Sequence, residues 1–390
     1  METIKLTSNE IVKVLSHMIN NNYQLAQDGK VPVSIEIVGD PGLGKTSICK
    51  QVADMFNMEC IKLNIAQFDD LCDLVGFPYK EFCLKNSNGD RIWVHENLLN
   101  SYVGTQFSID PCTVPRMPYA IPEWIANRID PVVLVLDDWT RADERFIQAV
   151  MELVATQKYG SWSLPKGSTI ILTSNPDDGE NLVKTIDDAI RTRFISVEMK
   201  WSAECWAEWA EKNGVPDTLI NFIVANPDIV NKSVNPRSIM NFFNSVRSIY
   251  NDEDRTMLTY LGNASVGPDF VETFKTFLDE KMDIIPSVKD MLVMNFDILS
   301  KLLKKCSYSG NEFSPAAASI VSTRIIVYER IKKNNKETVT DDEVSRIADI
   351  MALDVFTPDM VSYVANTLVN IDMKFSGLLK NKSIMNEILA

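Results

Sequence analysis

Histidine is almost absent from this chain: His17 and His95 are the only two in 390 residues, and they lie far apart. A histidine-rich metal site is therefore not expected. The seven cysteines are an odd number, show no C-x-x-C spacing and sit mostly among apolar neighbours. That excludes a regular disulfide or zinc framework and favours reduced thiols in a cytoplasmic protein. No apolar run approaches the roughly 18 residues of a membrane span; the best runs from Val132 to Leu136. The first ten residues have no basic segment leading into an apolar one, so no secretory signal is expected. Basic residues are also in deficit, 39 against 53 acidic, for a net charge of −14. Such a chain is a poor general binder of nucleic-acid backbone or anionic membrane, unless a local basic patch exists.

What is present is ordinary globular composition, 45% hydrophobic and 24% charged. At about 150 residues per domain the length allows two or three domains. Thr7 and Glu10 have capping-box spacing, and Ile11, Val14, Leu15, Met18 and Ile19 share one helical face, which predicts a helix ending at Gly29. Val33 to Val38 reads as a buried strand, Ser47 to Phe56 as a helix and Ile61 to Ile65 as a second strand. From about 67 to 124, Gly, Pro and Asn punctuate the pattern, as expected of an insertion with a hairpin near Tyr79–Val94. Val132 to Leu136, Thr169 to Thr173 and Phe194 to Met199 are further strands. A helix covers Glu144 to Gln157, and a turn or short hairpin covers Tyr159 to Pro165. After Lys200 strand signals vanish and helical periodicity runs to the C-terminus. Strands alternating with helices predict an α/β fold with a parallel sheet over residues 1–200. An all-helical lid (201–280) and a C-terminal helical domain of open role (281–390) would follow.

Only 15 glycines occur in the chain, yet three fall in Gly39-Asp40-Pro41-Gly42-Leu43-Gly44-Lys45-Thr46, between a strand and the helix that Ser47 continues. This fits G-x-x-x-x-G-K-[ST]. Glycine lets the backbone wrap an oxyanion, and the loop amides and helix N-terminus supply positive potential. In that motif Lys45 bridges the β- and γ-phosphates and Thr46 ligates Mg²⁺. The apolar run Val132 to Leu136 ends in Asp137-Asp138, and in an open parallel sheet ligands sit at the carboxyl ends of strands. Asp137 is placed to hold Mg²⁺ and Asp138 to polarise an attacking water.

Three further signals follow in order. Asn175 ends the fourth strand, where its amide could contact that water or the γ-phosphate. Arg191 and Arg193 precede the fifth strand, where a guanidinium could reach a neighbouring subunit's phosphate. Arg237, in Asn235-Pro236-Arg237-Ser238, opens a helix and could fold back on a nucleotide. Each also reads as an ordinary turn or surface residue.

Taken together, these elements resemble an AAA+ ATPase: Walker A at Gly39 to Thr46, Walker B at Val133 to Asp138, sensor 1 at Asn175, an arginine finger at Arg193 or Arg191, and sensor 2 at Arg237. The Asn-Pro-Arg-Ser segment, the insertion and the hairpin before Thr169 are similar to the MoxR group, and the segment Phe68 to Pro78 is similar to stretches in its phage-borne relatives. The resemblance covers roughly residues 5 to 280. It implies a ring, usually hexameric, that binds ATP or ADP with Mg²⁺ and remodels or assembles a protein partner, commonly one with a von Willebrand factor A domain. The family normally has Glu where Asp138 stands; the shorter side chain implies slower hydrolysis. Two alternatives stay open: a DNA-transaction ATPase, which the acidic charge disfavours, and a nucleotide-binding assembly module with little hydrolysis.

Overall fold

A computed structural model describes residues 3–177, 188–250, 254–309 and 312–380. The chain divides into two compact units, Met1–Lys200 and Trp201–Ala390.

The first unit is built on a six-stranded sheet. Its elements are β1 (Ile4–Leu6), α1 (Ser8–Gln27), β2 (Ser34–Val38), α2 (Lys45–Met55), β3 (Glu59–Asn64) and α3 (Leu71–Val75). An inserted antiparallel sheet follows, β4 (Glu81–Asn86), β5 (Arg91–His95) and β6 (Phe107–Ile109). The chain then returns through β7 (Val132–Asp137), α4 (Glu144–Thr156), a ribbon of β8 (Lys158–Tyr159) and β9 (Trp162–Ser163), β10 (Thr169–Ser174), α5 (Asp188–Arg191) and β11 (Phe194–Met199). The main sheet has the order β1-β11-β2-β10-β7-β3, and every pairing in it is parallel.

Side chains alternate across a strand, and both faces of this sheet are covered. Ile35, Ile37, Val133, Val135 and Ile171 join Ile11, Leu15 and Val52 in one core, while Leu134, Leu136, Ile170 and Leu172 join Phe146, Val150 and Trp139 in the other. Thr7 caps α1 through the expected box with Glu10. β1 departs from expectation. Ile4 to Leu6 has no strand signature of its own, being three residues and largely exposed, yet it pairs with β11 at the sheet edge.

The second unit has ten helices between Ala203 and Ile371 among the described residues. One buried cluster runs from Trp206 to Leu378. Strand structure does not vanish after Lys200, contrary to the sequence reading: Tyr308–Ser309 and Glu312–Phe313 form a two-residue ribbon. It closes where the Tyr308 and Phe313 rings meet at a tilt of 57°, with centroids 5.4 Å apart. The core contains charge. Arg324 is fully buried and donates to Asn221 Oδ1 at 2.7 Å and to Glu211 and Asp217. Glu329 is also buried, and desolvation together with the nearby Glu343 carboxylate pushes its pKa up to about 8.

A carboxyl raised in the folded state contributes most below its unfolded value, and that contribution is lost as pH rises through the folded one. Glu329→Gln should therefore match the wild type near pH 4.5 and become progressively more stable than it up to about pH 8. Denaturant titrations across that range check this; a stability difference that does not change with pH would contradict it.

Candidate functional site

Parallel register decides which residues can meet. Ser174 of β10 lies beside Val38 of β2, Leu172 beside Leu136 of β7, and Asn64 of β3 beside Asp137. The carboxyl ends of four strands are therefore level, and the phosphate loop, Asp137, Asp138 and Asn175 all emerge at one edge.

The loop Gly39–Gly44 leaves β2 and enters α2. Gly39 is held by its N–H to Ser174 O at 3.1 Å, and a Cβ there would stand 3.2 Å from Met199 Cβ. Gly42 and Gly44 have φ of 80° and 94°, the left-handed region that glycine enters without strain. Strand, glycine loop and helix on a parallel sheet make this unit a P-loop NTPase fold. Gly44 caps α2 without a side chain, so the N-terminal turn of α2 at Lys45, Thr46 and Ser47 directs its positive dipole end toward an anion at the loop.

Lys45 is buried and folded over its own loop, donating to Gly39 O at 2.6 Å, Asp40 O at 3.1 Å and Asn175 Oδ1 at 3.1 Å. Thr46 Oγ1 donates to Asp137 Oδ1 at 2.9 Å, and Thr173 Oγ1 to the same oxygen at 2.5 Å. Asp138 adopts φ 50°, a left-handed turn that Asp tolerates better than most residues. Its N–H donates to Thr173 Oγ1 at 3.3 Å, and Asn175 Nδ2 donates to Asp138 Oδ1 at 3.4 Å. One threonine hydroxyl thus ties both acids, and one asparagine amide joins Lys45 to Asp138.

Sequence reasoning overlooked two of these neighbours. Thr173 was legible only as the last residue of an apolar strand. Lys62 is the one cation within β3, and its Nζ meets Asp137 Oδ2 at 2.8 Å. Burial disfavours charge on Asp137, but the Lys62, Thr173 and Thr46 contacts outweigh it and hold the carboxyl below its usual pKa. An ionised acid beside a threonine hydroxyl suits a hard, oxygen-seeking cation. Asn64, beside Asp137 in the register, has a buried Oδ1 with no hydrogen-bond partner among the described residues. Thr46 and Asp137 therefore fit Mg²⁺, with Lys62 holding the outer oxygen.

The two arginines lie elsewhere. β11 runs parallel to β2 and begins beside Ser34, so Arg191 and Arg193 sit at the sheet edge opposite the loop. The length of β2 separates the two edges, roughly 15 Å at 3.3 Å per residue, and no arginine side chain spans it. Both are exposed. Arg193 Nη1 donates to Met151 O at 3.3 Å and lines a cavity of about 420 Å³ with Val31, Val33 and Val154. Arg237 belongs to the second unit. It is exposed at the second position of the helix Pro236–Val246, where Asn235 caps both Arg237 N and Ser238 N.

No family model matches the chain, and no curated protein matches it. Among solved structures it is similar to RuvB of Thermotoga maritima, a Holliday junction branch migration motor. Identity is 14% over 76% of this chain and 81% of that one, with a TM-score of 0.33. Two variant forms of the same protein give 13% identity, TM-score 0.35, over 76% and 81% of the two chains, and 14% identity, TM-score 0.33, over 86% and 97%. No residue role rests on a likeness at this level.

The depressed pKa of Asp137 has a pH consequence. Its contribution to stability is full above about pH 4 and is lost as pH falls through the lower folded value. Lys62→Met removes a major source of the depression, so acid-induced loss of structure should begin at higher pH than in the wild type. Circular dichroism from pH 6 to pH 2 measures this; an unmoved acid limb would contradict the assignment.

Proposed function

We propose that the chain is a ring-forming ATPase of the AAA+ type, MoxR-like, which couples ATP binding and hydrolysis to remodelling or assembly of a protein partner. The observation that carries this is a division of labour between two sheet edges. Lys45, Thr46, Asp137, Asp138 and Asn175 are linked by hydrogen bonds at one edge, while the arginines face outward at the other. Arg141, just after β7, pairs with Asp138 Oδ2 at 4.0 Å, so the arginine beside that acid in its own chain is already engaged, and a neighbouring subunit's Arg193 (or Arg191) supplies the finger to a triphosphate at the loop.

On this reading Lys45 exchanges its loop carbonyls for the β- and γ-phosphate oxygens. Thr46 and Asp137 hold Mg²⁺, which neutralises charge on the phosphates when bound. Asp138 and Asn175 orient the attacking water, and Arg237 serves as the cis sensor. Catalysis is positioning and electrostatics, with no covalent intermediate. A hexamer and a partner with a von Willebrand factor A domain follow from the same resemblance, and a cytoplasmic setting from the unpaired cysteines.

A second reading, an assembly module with little turnover, is favoured by Asp138 itself. Its carboxylate is one methylene shorter than glutamate, and a misplacement of about 1 Å costs on the order of a hundredfold in rate. A DNA motor, the role of RuvB, is disfavoured here by the net charge of −14.

Binding of a fluorescent nucleotide and release of phosphate separate these roles. Lys45→Ala should abolish binding. Arg193→Ala should bind normally and lose about a thousandfold or more in turnover, the usual worth of a finger. Asp138→Asn should bind normally and release no phosphate, since Asn accepts the same left-handed turn. Normal hydrolysis by both Arg193→Ala and Arg191→Ala would remove the shared-site account. ATP-dependent assembly without phosphate release in the wild type would establish the second reading instead.

A further inference from the structure

The middle of β2 carries a residue that its position does not explain. A strand covered on both faces of a parallel sheet reads as a near-continuous apolar run. Ile35 and Ile37 comply and are fully buried; Glu36 stands between them and is only 7% exposed. Burying a carboxylate costs several kcal/mol, and well-packed apolar residues of similar volume often replace buried charge without loss of stability. Packing alone therefore does not account for it.

What surrounds the carboxylate does. Oε1 accepts from Trp139 Nε1 at 3.0 Å and from Ser174 Oγ at 2.8 Å, and Oε2 accepts from Ser196 Oγ at 2.9 Å. Each donor adjoins part of the site. Trp139 follows Asp138, Ser174 precedes Asn175, Ser196 lies in β11 just beyond Arg193, and Glu36 itself sits just before the phosphate loop. The Trp139 ring also meets Phe194, the residue after Arg193, edge-on with centroids 5.8 Å apart. One side chain thus gathers the four chain segments that carry the loop, the acids, the asparagine and the arginines.

We propose that Glu36 is the positioning residue of the hydrolytic site: its carboxylate fixes the Asp138 turn and Asn175 against the phosphate loop and ties both to the finger strand. This rests on the ATPase reading. Glu36 touches no substrate; it acts through Asp138 and Asn175, so it governs turnover rather than nucleotide affinity.

The test uses the full chain, with steady-state phosphate release for kcat and KM and a fluorescent ADP analogue for affinity. Glu36→Ala should lower kcat about a hundredfold, the effect of roughly 1 Å of misplacement, while affinity stays within about threefold because Lys45 and the loop amides are untouched. Glu36→Gln should recover to within about fivefold of wild type, since its amide oxygen still accepts from Trp139 and Ser174 and its NH₂ can donate to Ser196. Should Glu36→Ala fail to fold, Trp139→Phe serves: it keeps an aromatic ring against Phe194 and removes one donor, and it should cost about tenfold in kcat with affinity unchanged. Wild-type kcat in folded Glu36→Ala or in Trp139→Phe would overturn the proposal, as would a parallel loss of kcat and affinity that Glu36→Gln does not repair. Absence of phosphate release from the wild type would instead defeat the ATPase reading on which the proposal stands.

Discussion

The contact between the Thr173 hydroxyl and Asp137 exists only because β10 and β7 run parallel with Leu172 beside Leu136. The same register sets Ser174 beside Val38, and so Asn175 beside the start of the phosphate loop. A slip of one residue would turn Thr173 to the other face of the sheet and leave Asp137 without that anchor. Apolar alternation on both faces holds the register: Val133 and Val135 commit to one core, Leu134 and Leu136 to the other. The packing that makes the sheet stable is thus also what brings acid, amide and lysine within hydrogen-bond distance.

That same parallelism keeps the arginines away from their own loop. β2 and β11 point the same way, so whatever precedes β11 sits where β2 begins. This geometry is what motivates the proposal of a site completed by a neighbour. Under the proposed reading, each subunit offers a phosphate loop at one edge and a guanidinium at the other, a heterologous contact that closes into a ring when the rotation between subunits does.

Much of this was legible in the sequence, and for physical reasons. A loop that wraps an oxyanion fixes its glycines at short, regular spacing, so Gly39, Gly42 and Gly44 announce themselves. Asp137 and Asp138 are visible because acids rarely follow five apolar residues. Sheet edges and contacts between distant residues were not legible. β1 is three residues long and lacks a pattern. Lys62 and Thr173 matter only through Asp137, which lies on a separate strand. Glu36 meets a serine 160 residues away, and nothing local to β2 distinguishes it from a solvated glutamate. In the second unit, Arg324 finds its carboxylates more than a hundred residues back along the chain, which no periodicity reveals.

The central claim is that each hydrolytic site is split between two subunits. Mixing two inactive variants tests it most directly. Subunits with Lys45→Ala lack a working loop but keep Arg193; subunits with Arg193→Ala lack the finger but keep the loop. Co-assembled in equal amounts with ATP and Mg²⁺, they should release phosphate where neither does alone, because a Lys45→Ala subunit completes its neighbour's site. No recovery in mixtures shown by size measurement to co-assemble would contradict the account.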